Sequence, residues 1–245
     1  VMLFSILIAA LAESAISFTG ALMVIANRLF AERLAHWILG FAIGALLGAA
    51  FFDLLPEAVA GIGNSAFLWT VVGIFIFFAL EKIVLWYHYH REQYHAHAYT
   101  SLVLIGDAVH NFIDGVALAL AFLTSFPLGV ATTIAVLLHE MPQEIADFGL
   151  LLRGGFGRRR ALIVNFLISL TTIAGALLAY AFGRYLEPVL PYALAVVAGN
   201  FLYLALSDLL PETHEHEGTA HFIGQVLLMA FGAAVMYFLG QYFAE

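Results

Sequence analysis

Two short stretches of this chain gather side chains of the kind that bind metal ions. The first, GDAVHNFIDG, covers residues 106–115, and the second, HEMPQEIADFG, covers residues 139–149. Asp107, His110 and Asp114 are spaced i, i+3, i+7 and share one face of a helix, with Asn111 beside them. In the second stretch His139 and Gln143 lie one helical turn apart. Glu140, Glu144 and Asp147 repeat at i, i+4, i+7. Histidine supplies nitrogen and carboxylates supply charge, which together suit a divalent transition metal. The chain contains no cysteine, which excludes disulfides and thiolate metal sites. Any ligands are therefore His, Asp, Glu, Asn or Gln, a set that fits zinc, iron or manganese.

The elements that position these residues are membrane spans. Of the 245 residues, 63% are hydrophobic and 11% charged, whereas a soluble domain carries about 25% charged residues. So few charges cannot build a water-facing surface. Eight runs have the length of one crossing, at about 2–27, 34–59, 66–87, 99–124, 128–152, 161–185, 192–210 and 220–243. The fold class predicted is therefore all-α, a polytopic membrane protein whose residues 1–245 form one transmembrane domain in contact with lipid. No cleavable leader is read in residues 1–27, which lack a basic start. The net charge of −8 gives no reason to expect a nucleic-acid partner.

Both motifs fall roughly ten to fifteen residues into spans four and five, near the membrane centre. One Asp at such a depth costs about 2.5 to 3.5 kcal/mol or more. Here five carboxylates meet without a basic residue in either helix, so the cluster needs cations, protons or a water-filled cavity. Pro142 interrupts the hydrogen bonding of the second motif and is expected to disturb the helix one turn earlier.

Eight of the nine basic residues, from Arg28 and Arg33 through Lys82 and Arg91 to Arg153, Arg158, Arg159 and Arg160, fall on one face; Arg184 falls on the other. The positive-inside rule makes the first face cytoplasmic and puts both termini outside the cytoplasm. Spans two and seven both end in Asp-Leu-Leu-Pro-Glu, as Asp53 to Glu57 and Asp208 to Glu212. The two spans cross in opposite directions, which is the pattern of an inverted repeat, helices 1–3 and 6–8 around 4–5. Transporters built this way hold substrate at the repeat interface.

The paired strings HNFIDG and HEMPQEIADF resemble the fourth- and fifth-helix signatures of the ZIP (Zrt/Irt-like) family of divalent metal transporters. The similar branch carries HNFxDG followed by HExPHExGDF, and its LLPE segments match spans two and seven. The resemblance covers nearly the whole chain. It implies cell-membrane uptake of zinc foremost, or of iron, manganese or cadmium, toward the cytoplasm through a binuclear site, with elevator-like movement of a four-helix unit. The ions are substrates, and no cofactor is implied. Carried over by position, His110, Asp114, His139 and Gln143 form one metal site. Asn111, Asp114, Glu140 and Gln143 line its neighbour, with Glu144 close by. Gln143 departs from the branch, where His is usual, and Ala146 replaces Gly.

Other polar residues have readings on both sides. Asp107, Asp147, Asp53, Glu57, Asp208 and Glu212 are candidates for the ingress or exit path, although Asp53 and Glu57 also suit plain helix ends. His214 and His216 follow Asp208 and Glu212 and suit an exit site. The tract with His88, His90, His95 and His97, in a cytoplasmic loop at about 88–98, either holds metal loosely or extends a helix. Glu13, with Ser14 and Ser17, sits mid-span and is either functional or a helix-to-helix hydrogen-bonding group. Gly40, Gly44 and Gly48 permit close helix approach, within the chain or in a homodimer. The rival functions are a metal-selective channel and an intramembrane metallohydrolase. The second requires His where Gln143 stands, so no enzyme is expected.

Overall fold

The computed structural model describes residues 2–89, 96–153, 155–213 and 219–244. All regular structure among them is helical. Helix α1 covers Met2–Gly48, α2 Leu55–Ile62, α3 Ser65–Tyr89, α4 Ala96–Thr124 and α5 Phe126–Arg153. Then come α6 at Arg158–Leu186, α7 at Leu190–Tyr203, the short α8 at Leu210–Glu212, and α9 at Thr219–Ala244. Seven segments are long and apolar enough to cross a membrane, beginning with Met2–Ala31 and Arg33–Ile62 and ending with His221–Gln241. The remaining expected crossing, residues 128–152, is helix α5. Its own polar side chains, from His139 to Asp147, make it too polar to qualify by composition.

Three local features depart from the simplest reading of the sequence. Spans one and two are two helices that meet at a kink with no loop between them, and residues 28–33, which contain neither Gly nor Pro, are helical. Only Asn27 leaves helical geometry, at φ −156° and ψ 95°. Its side-chain oxygen accepts the Phe30 N–H at 3.1 Å, which caps the second half of α1. In α5 the helix runs unbroken through Pro142, so the expected disturbance does not interrupt it. The two Asp-Leu-Leu-Pro-Glu copies share a further feature. Each is preceded by a π-helical turn, Ala49–Leu54 and Leu204–Leu209. The Leu55 N–H reaches back to the Ala50 carbonyl, and the Leu210 N–H to the Ala205 carbonyl. Pro56 and Pro211 follow immediately. A proline lacks the N–H that a regular α-helix needs there, and a wider turn absorbs the lost bond.

Glycines set how the helices touch. A Cβ on Gly115 of α4 would run into the backbone carbonyl of Thr172, and one on Gly175 of α6 into that of Phe112. The same reciprocity joins Gly44 of α1 with Gly232 of α9, against the carbonyls of Met229 and Phe41. It also joins Gly73 of α3 with Gly199 of α7, against those of Val196 and Thr70. Backbone therefore rests on backbone at three crossings, the close approach that small residues allow in membranes. Large apolar side chains such as Phe75, Leu227 and Phe238 point outward and are exposed. The interior is rich in alanine, including Ala45, Ala119, Ala135 and Ala198, packed with Leu46, Leu118 and Phe201.

Candidate metal centre

The polar rows of α4 (Asp107, His110, Asp114) and α5 (His139, Glu140, Glu144) face each other and carry candidate ligands inward. His139, Asp114 and Glu140 have no solvent exposure; His110 keeps 13% of its side chain accessible. The His139 Nε2 lies 3.0 Å from an Asp114 oxygen and 3.2 Å from the His110 Nε2. The His110 Nε2 is in turn 3.4 Å from the same Asp114 oxygen. Glu140 approaches both imidazoles, at 3.8 and 3.9 Å. The hydrogen-bond network assigns the tautomer of His139. Its Nδ1 is 3.0 Å from the Ala135 carbonyl, which can only accept, so Nδ1 carries the hydrogen. That leaves the Nε2 lone pair aimed at a carboxylate and at a second imidazole. Electron pairs converging this closely are satisfied by a hydrogen or by a metal cation between them, and His, His, Asp and Glu are a donor set that could hold a divalent metal.

A second set adjoins the first. Ligand oxygens of Asp107, Glu140 and Glu144 lie within 4.8 Å of one another, as do the ligand atoms of His110, Asp114, His139 and Glu140. Glu140 belongs to both. An amide from a neighbour fixes one oxygen of each flanking carboxylate. Asn111 Nδ2 donates to Asp107 at 2.8 Å, and Asn165 Nδ2 donates to Glu144 at 2.5 Å. The other oxygen of each, and both oxygens of Glu140, are buried and accept no hydrogen bond among the described residues. Buried carboxylate oxygens left bare are costly unless a cation compensates them.

A family model described as ZIP Zinc transporter matches residues 1–103 and 87–240. The chain belongs to the ZIP family. Among named relatives, Zinc transporter ZIP13 of Pongo abelii is 37% identical over 219 residues, covering 81% of this chain and 65% of its own length. Zinc transporter ZIP13 of Mus musculus is 33% identical over 251 residues, or 84% and 70%. Zinc transporter ZIP4 of Homo sapiens is 46% identical over 110 residues, or 45% and 17%. This ZIP chain thus spans about two thirds of the ZIP13 proteins it matches and a small part of ZIP4. The family read from HNFIDG and HEMPQEIADF is borne out. So is the absence of enzyme chemistry from the reading, since these relatives are named as transporters.

The geometry redistributes some of the roles in this ZIP chain. Asp107, read as part of an ingress or exit path, sits inside the second ligand set. Asn111, read as lining that set, gives its amide hydrogens to Asp107 and accepts from the Thr172 hydroxyl at 3.3 Å. Gln143 lines a cavity of about 190 Å³ together with His110, Asn200, Tyr203, Glu81 and Asp208, and its buried Oε1 has no hydrogen-bond partner among the described residues. Asp147 lies outside both sets. Asp53, partly buried, touches the helix position of Gly240, and Glu57 is exposed at the start of α2; neither joins the centre. The side chains of His88, His97 and Glu212, and all of His90, His95, His214 and His216, lie outside the described residues. The supporting residues Asn165 and Thr172 were not singled out from the sequence, although Asn165, Ser169 and Thr172 mark one face of an otherwise apolar span. Glu81, whose carboxylate accepts the Tyr203 hydroxyl, carried no motif at all.

Gln143 is the position where a small change is most informative. Beside His110 it offers an uncharged oxygen. Gln143→His adds an imidazole, which favours zinc over manganese more than an amide does. It also makes binding compete with a proton, so affinity falls further on acidification. Competition binding at two pH values is expected to give a higher zinc-to-manganese ratio, steeper in pH than the parent. An unchanged ratio removes Gln143 from the ligand set.

Proposed function

We propose that this chain carries divalent transition-metal ions across the membrane toward the cytoplasm, zinc foremost and iron, manganese or cadmium as further substrates. The observation that carries the reading is the pair of ligand sets joined through Glu140. An ion leaving one set keeps a ligand as it enters the other, so the charge stays compensated during the step. The cavity beside the centre supports release on one side. It reaches from His110 and Gln143 to Glu81 and Asp208, and Glu81 adjoins Lys82 on the face that the basic residues assign to the cytoplasm. The same rule places both termini outside. Relatives named as zinc transporters support the choice of ion.

The inverted repeat has support beyond the shared string. Gly44 and Gly199 each stand nine residues before the repeat Asp, Asp53 and Asp208, and each π turn begins four residues before it. A pseudo-twofold axis that exchanges spans two and seven, and three and eight, turns the Gly44–Gly232 crossing into the Gly199–Gly73 crossing. An elevator-like motion also has support. Each of the three glycine crossings joins helices within the first, fourth, fifth and sixth spans, or within the second, third, seventh and eighth. The metal centre belongs wholly to the first group.

The test is metal flux into proteoliposomes containing the purified chain. Zinc uptake is expected to saturate, to be competed by cadmium, and to exceed that of protein-free vesicles at least tenfold. No flux above those vesicles overturns the function. A flux that rises linearly with zinc and steeply with voltage replaces the carrier with a channel.

A further inference from the structure

We propose a second divalent-metal site, remote in sequence and ligands from the α4–α5 centre, formed by His36 of α1 and His221 of α9. His36 lies near the start of the second span and His221 opens the last one, so both sit at the end of the bundle that carries Arg28 and Arg33. Their Nε2 atoms face each other in direct contact. The rings are 26° from parallel with centroids 4.3 Å apart, and the Trp37 ring lies 5.2 Å from that of His221.

Helix packing imposes this approach. One turn deeper, Gly40 lies against Gln225, and Gly224 against Trp37; below them Gly44 and Gly232 bring backbone onto backbone. Gln225 donates to the His36 carbonyl at 2.8 Å, which fixes the backbone that carries the imidazole. The seam also holds one unsatisfied group. Gln225 is 3% exposed, and its Oε1, which lies over Gly40, has no hydrogen-bond partner among the described residues.

Two neutral imidazoles meeting through Nε2 have room for one hydrogen between them, one ring donating and the other accepting. A metal ion can take the place of that hydrogen with both lone pairs as ligands. The donor pair is nitrogen, in contrast to the carboxylate-rich centre, and it selects zinc, nickel or copper(II) over manganese and magnesium. Two protein ligands leave the other coordination positions to water. Such a site exchanges its ion readily and clips the second span to the last one when the local metal concentration is high.

The test uses the full chain with the central sites disabled by His139→Ala and Glu140→Gln. Nickel binding is measured by equilibrium dialysis. Adding His36→Gln or His221→Gln is expected to remove the same single equivalent, and combining them to remove no more. Unchanged stoichiometry, or losses that add, means a direct imidazole–imidazole hydrogen bond only and overturns the site. A gain-of-function pair guards against misfolding. The chain has no cysteine, so His36→Cys with His221→Cys creates the only thiols. Cobalt(II) is expected to give thiolate charge-transfer absorbance in the double variant and only trace intensity in either single one. Equal spectra in all three overturn the proposal.

Discussion

Glu140→Gln is expected to abolish zinc uptake while making the metal-free protein more stable. The two effects have one cause. Both Glu140 oxygens are buried and accept no hydrogen bond among the described residues, and Asp107, Asp114 and Glu144 crowd the same space. Without an ion this carboxyl group is desolvated among other acids with neither oxygen accepting a hydrogen bond, and a buried unsatisfied group costs about 1–3 kcal/mol, more when charged. The amide removes the charge and keeps the shape. Each kcal/mol recovered raises the melting temperature by about 2–4 °C in a chain of this size. The same substitution removes the ligand common to both sets. Loss of groups that merely orient a metal ligand costs about 10- to 100-fold, so uptake is expected to fall by at least the upper end of that range. Zinc, which stabilises the parent by binding its folded state, is expected to lose most of that effect. Melting curves with and without zinc, beside flux in proteoliposomes, check all three. A lower metal-free melting temperature would contradict the account of Glu140 as an uncompensated buried carboxyl group.

Gly115→Val is expected to prevent accumulation of folded protein, and Gly115→Ala to weaken it severely. Gly115 follows the ligand Asp114 and rests on the backbone at Thr172, where a Cβ would meet the carbonyl and come within 2.9 Å of the Ala176 nitrogen. The obstacle is main chain, which cannot rotate away. Forcing atoms into a packed core costs about 1–3 kcal/mol and sometimes more. Separating α4 from α6 also breaks the Thr171 hydroxyl bond to the Ala108 carbonyl, at 2.9 Å, and the Thr172 bond to Asn111. Gly149 on α5 is the control, because a Cβ there meets nothing within 4 Å. Gly149→Ala is expected to leave stability unchanged or to raise it by about 0.4–1 kcal/mol through the unfolded state. Monodisperse yield and melting temperature in detergent measure the contrast. Equal behaviour of the two alanine variants would sink it.

The site was legible where periodicity and chemistry coincide. His110, Asp114, His139 and Glu140 fall on single helical faces at a depth where charge is costly, and they meet as that pattern implies. Residues whose role depends on a partner in another helix were less legible. Asp107 has the spacing of a ligand, but only the position of α5 brings Glu140 and Glu144 to it. Asn111 adjoins the ligands in sequence, yet its amide is taken by Asp107 and Thr172. Glu81 and Tyr203 are 122 residues apart, and His36 and His221 are 185 apart, so no local pattern could join them. The helical state of residues 28–33 was hidden for a different reason. Arg28, Glu32 and Arg33 look like a polar loop by composition, but each favours the helical state.

The allocation of glycine also determines where the molecule is stiff. Where backbone rests on backbone, a displacement of a few tenths of an ångström meets hard repulsion at once, and no side chain can rotate to relieve it. Such crossings transmit force with little compliance. They lock α4 to α6, the second span to α9, and α3 to α7, each as a stiff pair. A Cβ at Gly20 of the first span would meet the Glu144 and Ile145 side chains of α5 only at 3.4 Å, ordinary contact, so that seam yields more readily than the three glycine crossings. The kink at Asn27 interrupts the helical ladder at one residue, so it is a softer joint than the helix on either side of it. There one residue out of helical geometry, with its own side chain capping the next turn, lets the two halves of α1 swing without unwinding either.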